Sequence, residues 1–174
     1  PQGYENAADL VKGLKKIGDF DISVAAYPET HPDSEDVNAD IDNLKRKIDA
    51  GAHRAITQYF FDTDIYFRFM DKVLAAGITV PIVPGIMPVT NFKMAKSFSE
   101  RCGTAVPLWL EKLFEGLDEN PEIRRHIASM VTAEQCRRLY EGGVKNYHFY
   151  TLNRAELTYT ICHTLGLRPQ GEKA

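Results

Sequence analysis

The residues best suited to chemistry surround one predicted loop and the helix behind it. The loop sequence YPETHPDSEDVNAD contains Tyr27, Glu29 and His31. The helix carries a second polar set: Asp40, Asn43, Arg46 and Lys47. Asp40, Asn43 and Lys47 have the spacing i, i+3, i+7, which places them on one helical face. Arg46 lies beside them.

Two interpretations of this polar set are open. It could be a solvated surface with ion pairs, or Arg46 and Lys47 could bind a phosphate-bearing ligand, because both cations suit phosphate oxygens. The sequence contains neither a Walker loop nor a GxGxxG pattern. A nucleotide would therefore be held in some other manner.

Further candidates lie in or after other apolar segments. Gln58 interrupts the strand AITQYFF, where its amide either finds partners in the core or faces a heteroaromatic ligand. Arg154, close to Tyr150 and Asn153, is either a surface charge or a group that binds a substrate carboxylate. Phe98 either packs in the core or stacks on a flat ligand.

The elements that position these residues repeat one pattern four times: a helix, a glycine and a short apolar strand. The glycines are Gly18, Gly51, Gly77 and Gly143, and we expect each to take a left-handed conformation that ends its helix. Nearly continuous apolar strands indicate that both faces of the sheet are covered. Alternating helices and strands predict parallel strands, whose carboxyl ends collect the functional residues.

The periodicity gives approximate bounds. The predicted strands are 20–26, 54–60, 79–84 and 146–152. The predicted helices are 6–17 with Asn6 as its cap, 37–50, 64–76, one capped by Thr90 or Asn91 that runs to about Arg101, two or three within 106–141 with Thr132 as a cap, and 154–165.

Composition excludes several classes of protein. The chain has 174 residues, 44% hydrophobic and 26% charged, and a net charge of −3, so nothing favours nucleic acid as a partner. No apolar run reaches the roughly 18 residues of a membrane span. Cys102, Cys136 and Cys162 are too few and too widely spaced for a disulfide framework or a metal site. We expect buried thiols, no metal and a cytoplasmic location.

Four parallel strands cannot close a barrel, which takes eight. The chain is therefore either a small open α/β sheet or the C-terminal part of something larger, and we favour the second.

Four segments resemble methylenetetrahydrofolate reductase of the bacterial type. They are DISVAAYPETHP, NLKRKIDAGAHRAITQYFFD, VPIVPGIMPVTNF and YHFYTLNRAELTYTICHTLG. The resemblance extends from about Ala8 to Arg168. It implies one partial domain over residues 1–174, the C-terminal half (about strands 5–8) of a (βα)8 TIM-type barrel with extra helices before its last strand. It implies a homo-oligomeric flavoprotein of one-carbon and methionine metabolism. Such enzymes hold FAD non-covalently and reduce 5,10-methylenetetrahydrofolate to 5-methyltetrahydrofolate with NADH or NADPH.

The resemblance also implies residue roles. The FAD contacts would be Ala7, Tyr27, His31, Asp40, Asn43, Arg46 and Lys47. Gln58 would contact both the nicotinamide donor and the folate, and Arg154 would bind the folate through its glutamate. Phe98 would line the substrate site, as would Met94, where some relatives have a glutamine.

The family's general acid is a glutamate at the end of the first barrel strand, which we expect upstream of Pro1. The 174-residue segment alone is therefore expected to be inactive. An alternative is a non-catalytic flavin- or folate-binding module built on the same strands. A barrel with other chemistry is also open, because fold does not fix function.

Overall fold

In the computed structural model, which describes residues 3–168, helices and strands alternate through most of the chain. The helices are α1 Ala7–Ile17, α2 Val37–Asp49, α3 Thr63–Ala75, α4 Phe92–Cys102, α5 Leu108–Phe114, α6 Pro121–Glu141 and α7 Ala155–Thr164. The strands are β1 Ser23–Ala26, β2 Arg54–Tyr59, β3 Ile82–Ile86 and β4 His148–Phe149. The domain predicted over 1–174 includes residues 1–2 and 169–174, which lie outside the described part.

Side-chain caps fix the starts of the first four helices. Asn6, Asp36, Asp62 and Asn91 each accept a hydrogen bond from a backbone N–H of the first turn. Such caps satisfy donors that have no partner inside the helix. Because α6 and α7 begin without a side-chain cap, their first N–H groups remain available to other acceptors.

The four strands form one parallel sheet in the order β1-β2-β3-β4. This order follows the chain without reversal, so right-handed crossovers place the connecting helices on the same face. Val24, Ala26 and Ala55 are buried in one cluster with residues of α2, α3 and α6. The predicted parallel α/β fold is confirmed.

The expectation that both sheet faces are covered is wrong for the described residues. Ala25, Ile56 and Val83 are paired in register across β1, β2 and β3. Ala25 is exposed and the other two are half-buried, and none belongs to either buried cluster. The strands are apolar on both sides, but helices pack against one side.

Several predicted bounds are also corrected. The segment 121–141 is one helix, and Thr132 is buried within it rather than capping a second helix. Gln135, one turn later, donates from Nε2 to the carbonyl of Phe60 at 2.6 Å, which fixes this helix against the sheet. β4 has only two residues, and three residues beyond it Leu152 and Asn153 take positive φ values of 49° and 61°, which turn the chain towards α7.

Glycine serves two different purposes here. Gly51, Gly77 and Gly143 have positive φ as predicted, whereas Gly18 is extended at φ −172°, which any residue adopts. Gly85 lies in β3 where a Cβ would come within 2.2 Å of the Thr57 carbonyl oxygen and 2.6 Å of the Tyr150 ring. This glycine is needed for close approach rather than for its backbone freedom.

Replacing Gly85 by alanine should lower the free energy of unfolding by about 1–3 kcal/mol, because the new methyl group overlaps backbone that cannot move easily. Gly18→Ala is the matched control, and we expect little change, since its nearest contact would be Phe20 at 3.3 Å. Urea denaturation of both variants measures the difference. Equal stability of Gly85→Ala and the parent protein would contradict the close packing.

Candidate functional site

The candidate site lies at the edge of the sheet formed by the carboxyl ends of the strands. Tyr27 follows β1 directly, Gln58 is next to the last residue of β2, and Arg154 follows β4 by a short turn. Parallel strands in register bring these ends to one edge. Residues far apart in the sequence are therefore placed along a common rim.

A buried carboxylate organises the loop after β1. Asp40, 8% exposed, accepts a hydrogen bond from the His31 N–H at 2.8 Å and another from the Ser34 hydroxyl. Tyr27 packs edge-on against the His31 ring, with centroids 4.5 Å apart. These contacts hold the loop against the N-terminal end of α2. Ser34 is a member of this network that sequence reasoning missed, because Ser34 lies in an irregular loop, six residues before its partner Asp40 on α2.

Lys47 lies two turns along α2, on the same face as Asp40. It is 5% exposed, and its ammonium donates to the Ala25 carbonyl at 2.6 Å, near the end of β1. Burial lowers the pKa of Lys47, and the nearby Asp40 charge opposes that effect. One recorded acceptor serves an ammonium with three N–H groups, so capacity for further acceptors remains.

The two other predicted contacts on α2 are more open. Arg46 and Asn43 are exposed, and the guanidinium donates to the side-chain oxygen Oδ1 of Asn43 at 3.4 Å. Ala7 is exposed at the first position of α1, a helix that packs beside α2. The structure gives Ala7 no hydrogen bond to the loop after β1 among the described residues.

A second connection fixes the far side of the loop. Glu29 accepts a hydrogen bond from the Ala105 N–H at 2.9 Å, which ties the loop to the segment between α4 and α5. Burial raises the pKa of Glu29, partly offset by this hydrogen bond. The loop is therefore attached both to α2 and to the helical extension.

Gln58 is half-buried, and its side-chain oxygen accepts from the Tyr59 N–H at 3.0 Å. Its amide nitrogen has no recorded partner within residues 3–168, so the interpretation of a fully satisfied core glutamine is not supported. Nearby, the Tyr150 hydroxyl donates to the Thr57 carbonyl at 3.0 Å, which brings β4 across Gly85 to β2. Burial raises the pKa of Tyr150.

Met94 and Phe98 lie one turn apart on α4 and line a small cavity with Leu152 and Thr90. Thr90 and Leu152 also line the next cavity, which reaches Arg154. These three predicted residues are thus brought to adjacent depressions, on the β3 and β4 side of the edge. The loop after β1 lies at its other end.

Two other kinds of feature, a membrane-spanning helix and a metal-binding cluster, were searched for in the described residues. Within residues 3–168, no helix is both long and apolar enough to cross a membrane. The same part of the chain contains no group of three His, Cys, Asp or Glu side chains that could hold a metal ion. Burial raises the pKa of the Cys136 thiol to about 12, which makes it unreactive at neutral pH.

Substitution Asp40→Asn should destabilise the loop, because a neutral amide loses a charge-assisted acceptor and leaves Lys47 without a compensating charge. The expected loss is about 1.5–3 kcal/mol in the free energy of unfolding. Faster amide hydrogen exchange in residues 28–35 should accompany it. Asp42→Asn, an exposed neighbour on the same helix, is the control. Unchanged exchange in Asp40→Asn would remove Asp40 as the organiser of the loop.

Comparisons with known proteins all point to the same protein family. The family described as methylenetetrahydrofolate reductase matches residues 1–166. A 5,10-methylenetetrahydrofolate reductase of Escherichia coli is 54% identical over 169 residues, and one of Pectobacterium carotovorum is 56% identical over 163. These alignments cover 97% and 94% of this chain but 56% and 55% of the relatives. The chain thus spans about half their length.

More distant relatives agree. A maize protein named methylenetetrahydrofolate reductase (NADH) 1 is 39% identical over 95% of this chain and 30% of its own length. A solved structure from Clostridium thermocellum, described as binding two copies of 5-methyl-5,6,7,8-tetrahydrofolic acid, superposes with a TM-score of 0.59 at 19% identity. It covers 89% of this chain and 56% of the other, and supports the fold. By its sequence, the chain belongs to the methylenetetrahydrofolate reductase family.

Proposed function

We propose that the protein to which this chain contributes reduces 5,10-methylenetetrahydrofolate to 5-methyltetrahydrofolate, with NADH or NADPH as the electron donor and FAD as the cofactor. The observation that carries the proposal is the position of Gln58. Its amide nitrogen has no hydrogen-bond partner within residues 3–168, and it lies at the same strand edge as the buried Asp40 and Lys47. Family membership and a nearby basic pair make that edge the natural place for a flavin and its substrates.

The residues fit FAD on one structural ground. Lys47 is buried with donors to spare, and Arg46 beside it is exposed with one weak amide partner. Phosphate oxygens would satisfy both cations. Tyr27 and His31 would lie against the cofactor, Asp40 and Asn43 would hold its polar chain, and Ala7 would add a contact from α1.

When bound, FAD supplies the hydride chemistry. Gln58 would hold the nicotinamide or the folate in turn, donating from its free amide nitrogen. Phe98 and Met94 would line the face on which the folate rests. Arg154 would bind the substrate glutamate, since a guanidinium pairs well with a carboxylate. These four residues would orient the reactants and pair with their charged groups. None of them is the proposed proton donor.

The general acid of the family is a glutamate that we place before Pro1. We propose that the described strands correspond to the C-terminal half of a (βα)8 barrel and form one partial domain. The 174-residue polypeptide alone should therefore show no turnover. General acid catalysis contributes typically about 10²–10⁴-fold in rate. Cytoplasmic location and homo-oligomeric assembly stay predictions.

The spectrum of the full-length protein tests the proposal. We expect a flavin absorbance band that NADH bleaches under anaerobic conditions and that 5,10-methylenetetrahydrofolate restores. A colourless protein, or a reduced band that the folate leaves unchanged, would contradict it. If the 174-residue segment alone retained FAD, it would have the properties of the binding-module alternative.

Substitutions separate the proposed roles. Arg46→Ala should weaken FAD binding by about 10- to 100-fold, the value of one charge-assisted contact. Gln58→Glu and Arg154→Ala should keep the flavin and lose turnover. Lys45→Ala is the matched control on α2, because Lys45 is exposed and pairs with Asp49 at 3.6 Å. FAD affinities come from fluorescence titration. Equal flavin loss in all three site variants would show that the division of roles is wrong.

A further inference from the structure

The end of β2 is irregular next to Gln58. Ile56 of β2 pairs with Val83 of β3, and the next recorded pair joins Tyr59 to Gly85. β2 therefore contains one residue more than β3 between these two pairs, which is a β-bulge. Bulges occur next to functional sites, where they redirect a side chain.

Thr57 lies within the bulge and connects it to two other strands. Its side chain is fully buried, and its Oγ1 accepts a hydrogen bond from the Gly85 N–H of β3 at 2.9 Å. The Thr57 carbonyl accepts from the Tyr150 hydroxyl at 3.0 Å, just beyond β4. A buried backbone N–H needs an acceptor, and here the hydroxyl of Thr57 supplies one. Side-chain atoms thus stabilise the pairing where the regular ladder is interrupted.

The same bulge sets the orientation of the Gln58 amide. The Tyr59 N–H donates to Oε1 of Gln58 at 3.0 Å, so the amide oxygen is already engaged by the backbone. Gln58 is half-buried, as is Ile56, whereas Thr57 is buried, which places Gln58 on the open face of the sheet. The amide nitrogen is therefore the part of Gln58 that a ligand on that face would meet.

The backbone that follows the bulge is also held by side chains. Oγ1 of Thr104 donates to the Tyr59 carbonyl at 3.2 Å, and Nε2 of Gln135 donates to the Phe60 carbonyl at 2.6 Å. These bonds fix the segment after the bulge, and the hydroxyl of Thr57 fixes the bulge itself. The end of β2 is thus held in one conformation by residues that are buried and do not face the open side of the sheet.

We propose that Thr57 is a positioning residue for Gln58. Its bond to the Gly85 N–H fixes the bulge, and the bulge presents the Tyr59 N–H to the Gln58 oxygen. The amide nitrogen is thereby held toward the open face as a hydrogen-bond donor. Its acceptors are carbonyl oxygens on the rings of the nicotinamide donor and of the folate, and this identity of the ligands rests on the proposed function. Thr57 itself contacts no ligand and acts through Gln58.

Thr57→Val removes the hydroxyl and keeps the branched shape, and it tests the proposal in the full-length, flavin-loaded protein. Anaerobic stopped-flow absorbance measures flavin reduction by NADH and reoxidation by 5,10-methylenetetrahydrofolate. We expect the dissociation constants of both ligands to rise about threefold to tenfold, the value of one neutral hydrogen bond, while FAD affinity stays that of the parent protein. Thr57→Ser keeps the hydroxyl and should restore both constants. Unchanged constants in Thr57→Val would overturn the proposal.

A double-mutant cycle with Gln58→Ala separates positioning from a general structural effect. Because Thr57 acts through Gln58, adding Thr57→Val to Gln58→Ala should change either constant by less than about twofold. Full additivity of the two substitutions would overturn the proposal. Thr63→Val is the matched control, since Thr63 is a buried threonine on α3 whose Oγ1 has no hydrogen-bond partner among residues 3–168. It should leave both constants unchanged, and an effect equal to that of Thr57→Val would contradict the assignment.

A second variant keeps the proposal testable if Thr57→Val fails to fold. Tyr150→Phe keeps the aromatic ring and removes the hydrogen bond to the Thr57 carbonyl. It should raise the same two constants by a smaller factor in the parent protein and leave them unchanged in the Gln58→Ala background. An equal effect in both backgrounds would overturn the proposal.

Crystal structures of the parent protein and of the Thr57 or Tyr150 variant distinguish this inference from the proposed function. In the variant we expect Oε1 of Gln58 to move beyond hydrogen-bond distance of the Tyr59 N–H. An unmoved Gln58 amide would overturn the inference whatever the protein binds. A displaced amide, in a protein whose flavin neither NADH nor the folate alters, would support the positioning role and reject the proposed function.

Discussion

The in-register parallel pairing of four consecutive strands is the constraint on which the site depends. Because the order follows the chain, the helices lie on one face and every carboxyl end reaches one edge. The opposite face retains the row Ala25, Ile56 and Val83, half-buried or exposed. An apolar row of this kind is expected to gain stability by burial, so the fold directs both its open face and its polar edge toward further contacts.

Two buried charged residues then give the edge its chemistry. Asp40 and Lys47 are separated by about two helical turns, and each is bonded to a different part of the β1 region: the loop and the Ala25 carbonyl. Isolated burial of either charge would be strongly unfavourable. The arrangement therefore fixes the Lys47 ammonium at the edge of the sheet, where α2 and the loop after β1 meet.

The sequence predicts the parts of this structure that depend on local patterns. Alternating apolar segments and glycines identify four parallel strands, and Asn6 and Asn91 cap helices as predicted. The prediction of Thr132 as a helix cap is wrong. Thr132 is buried against the core in the middle of α6, and its sequence pattern does not show that burial. The prediction of a left-handed conformation at Gly18 is wrong, because glycine permits that conformation without requiring it. The burial of Lys47 depends on tertiary packing, and helical periodicity does not distinguish it from exposed Arg46.

The strand order also sets the direction in which a substrate would lie. The FAD contacts that we propose are carried mainly by the loop after β1 and by α2, whereas Arg154 follows β4. Gln58 is on β2, two strands from β4, which corresponds to about 10 Å across the sheet. A folate held at Gln58 by its ring system and at Arg154 by its glutamate would therefore cross β3 near Gly85, against which the Tyr150 ring packs. The Tyr150 ring, rather than Gly85 itself, would lie along that path. The open edge of the sheet thus orders the three proposed regions as cofactor, reacting ring and anionic tail.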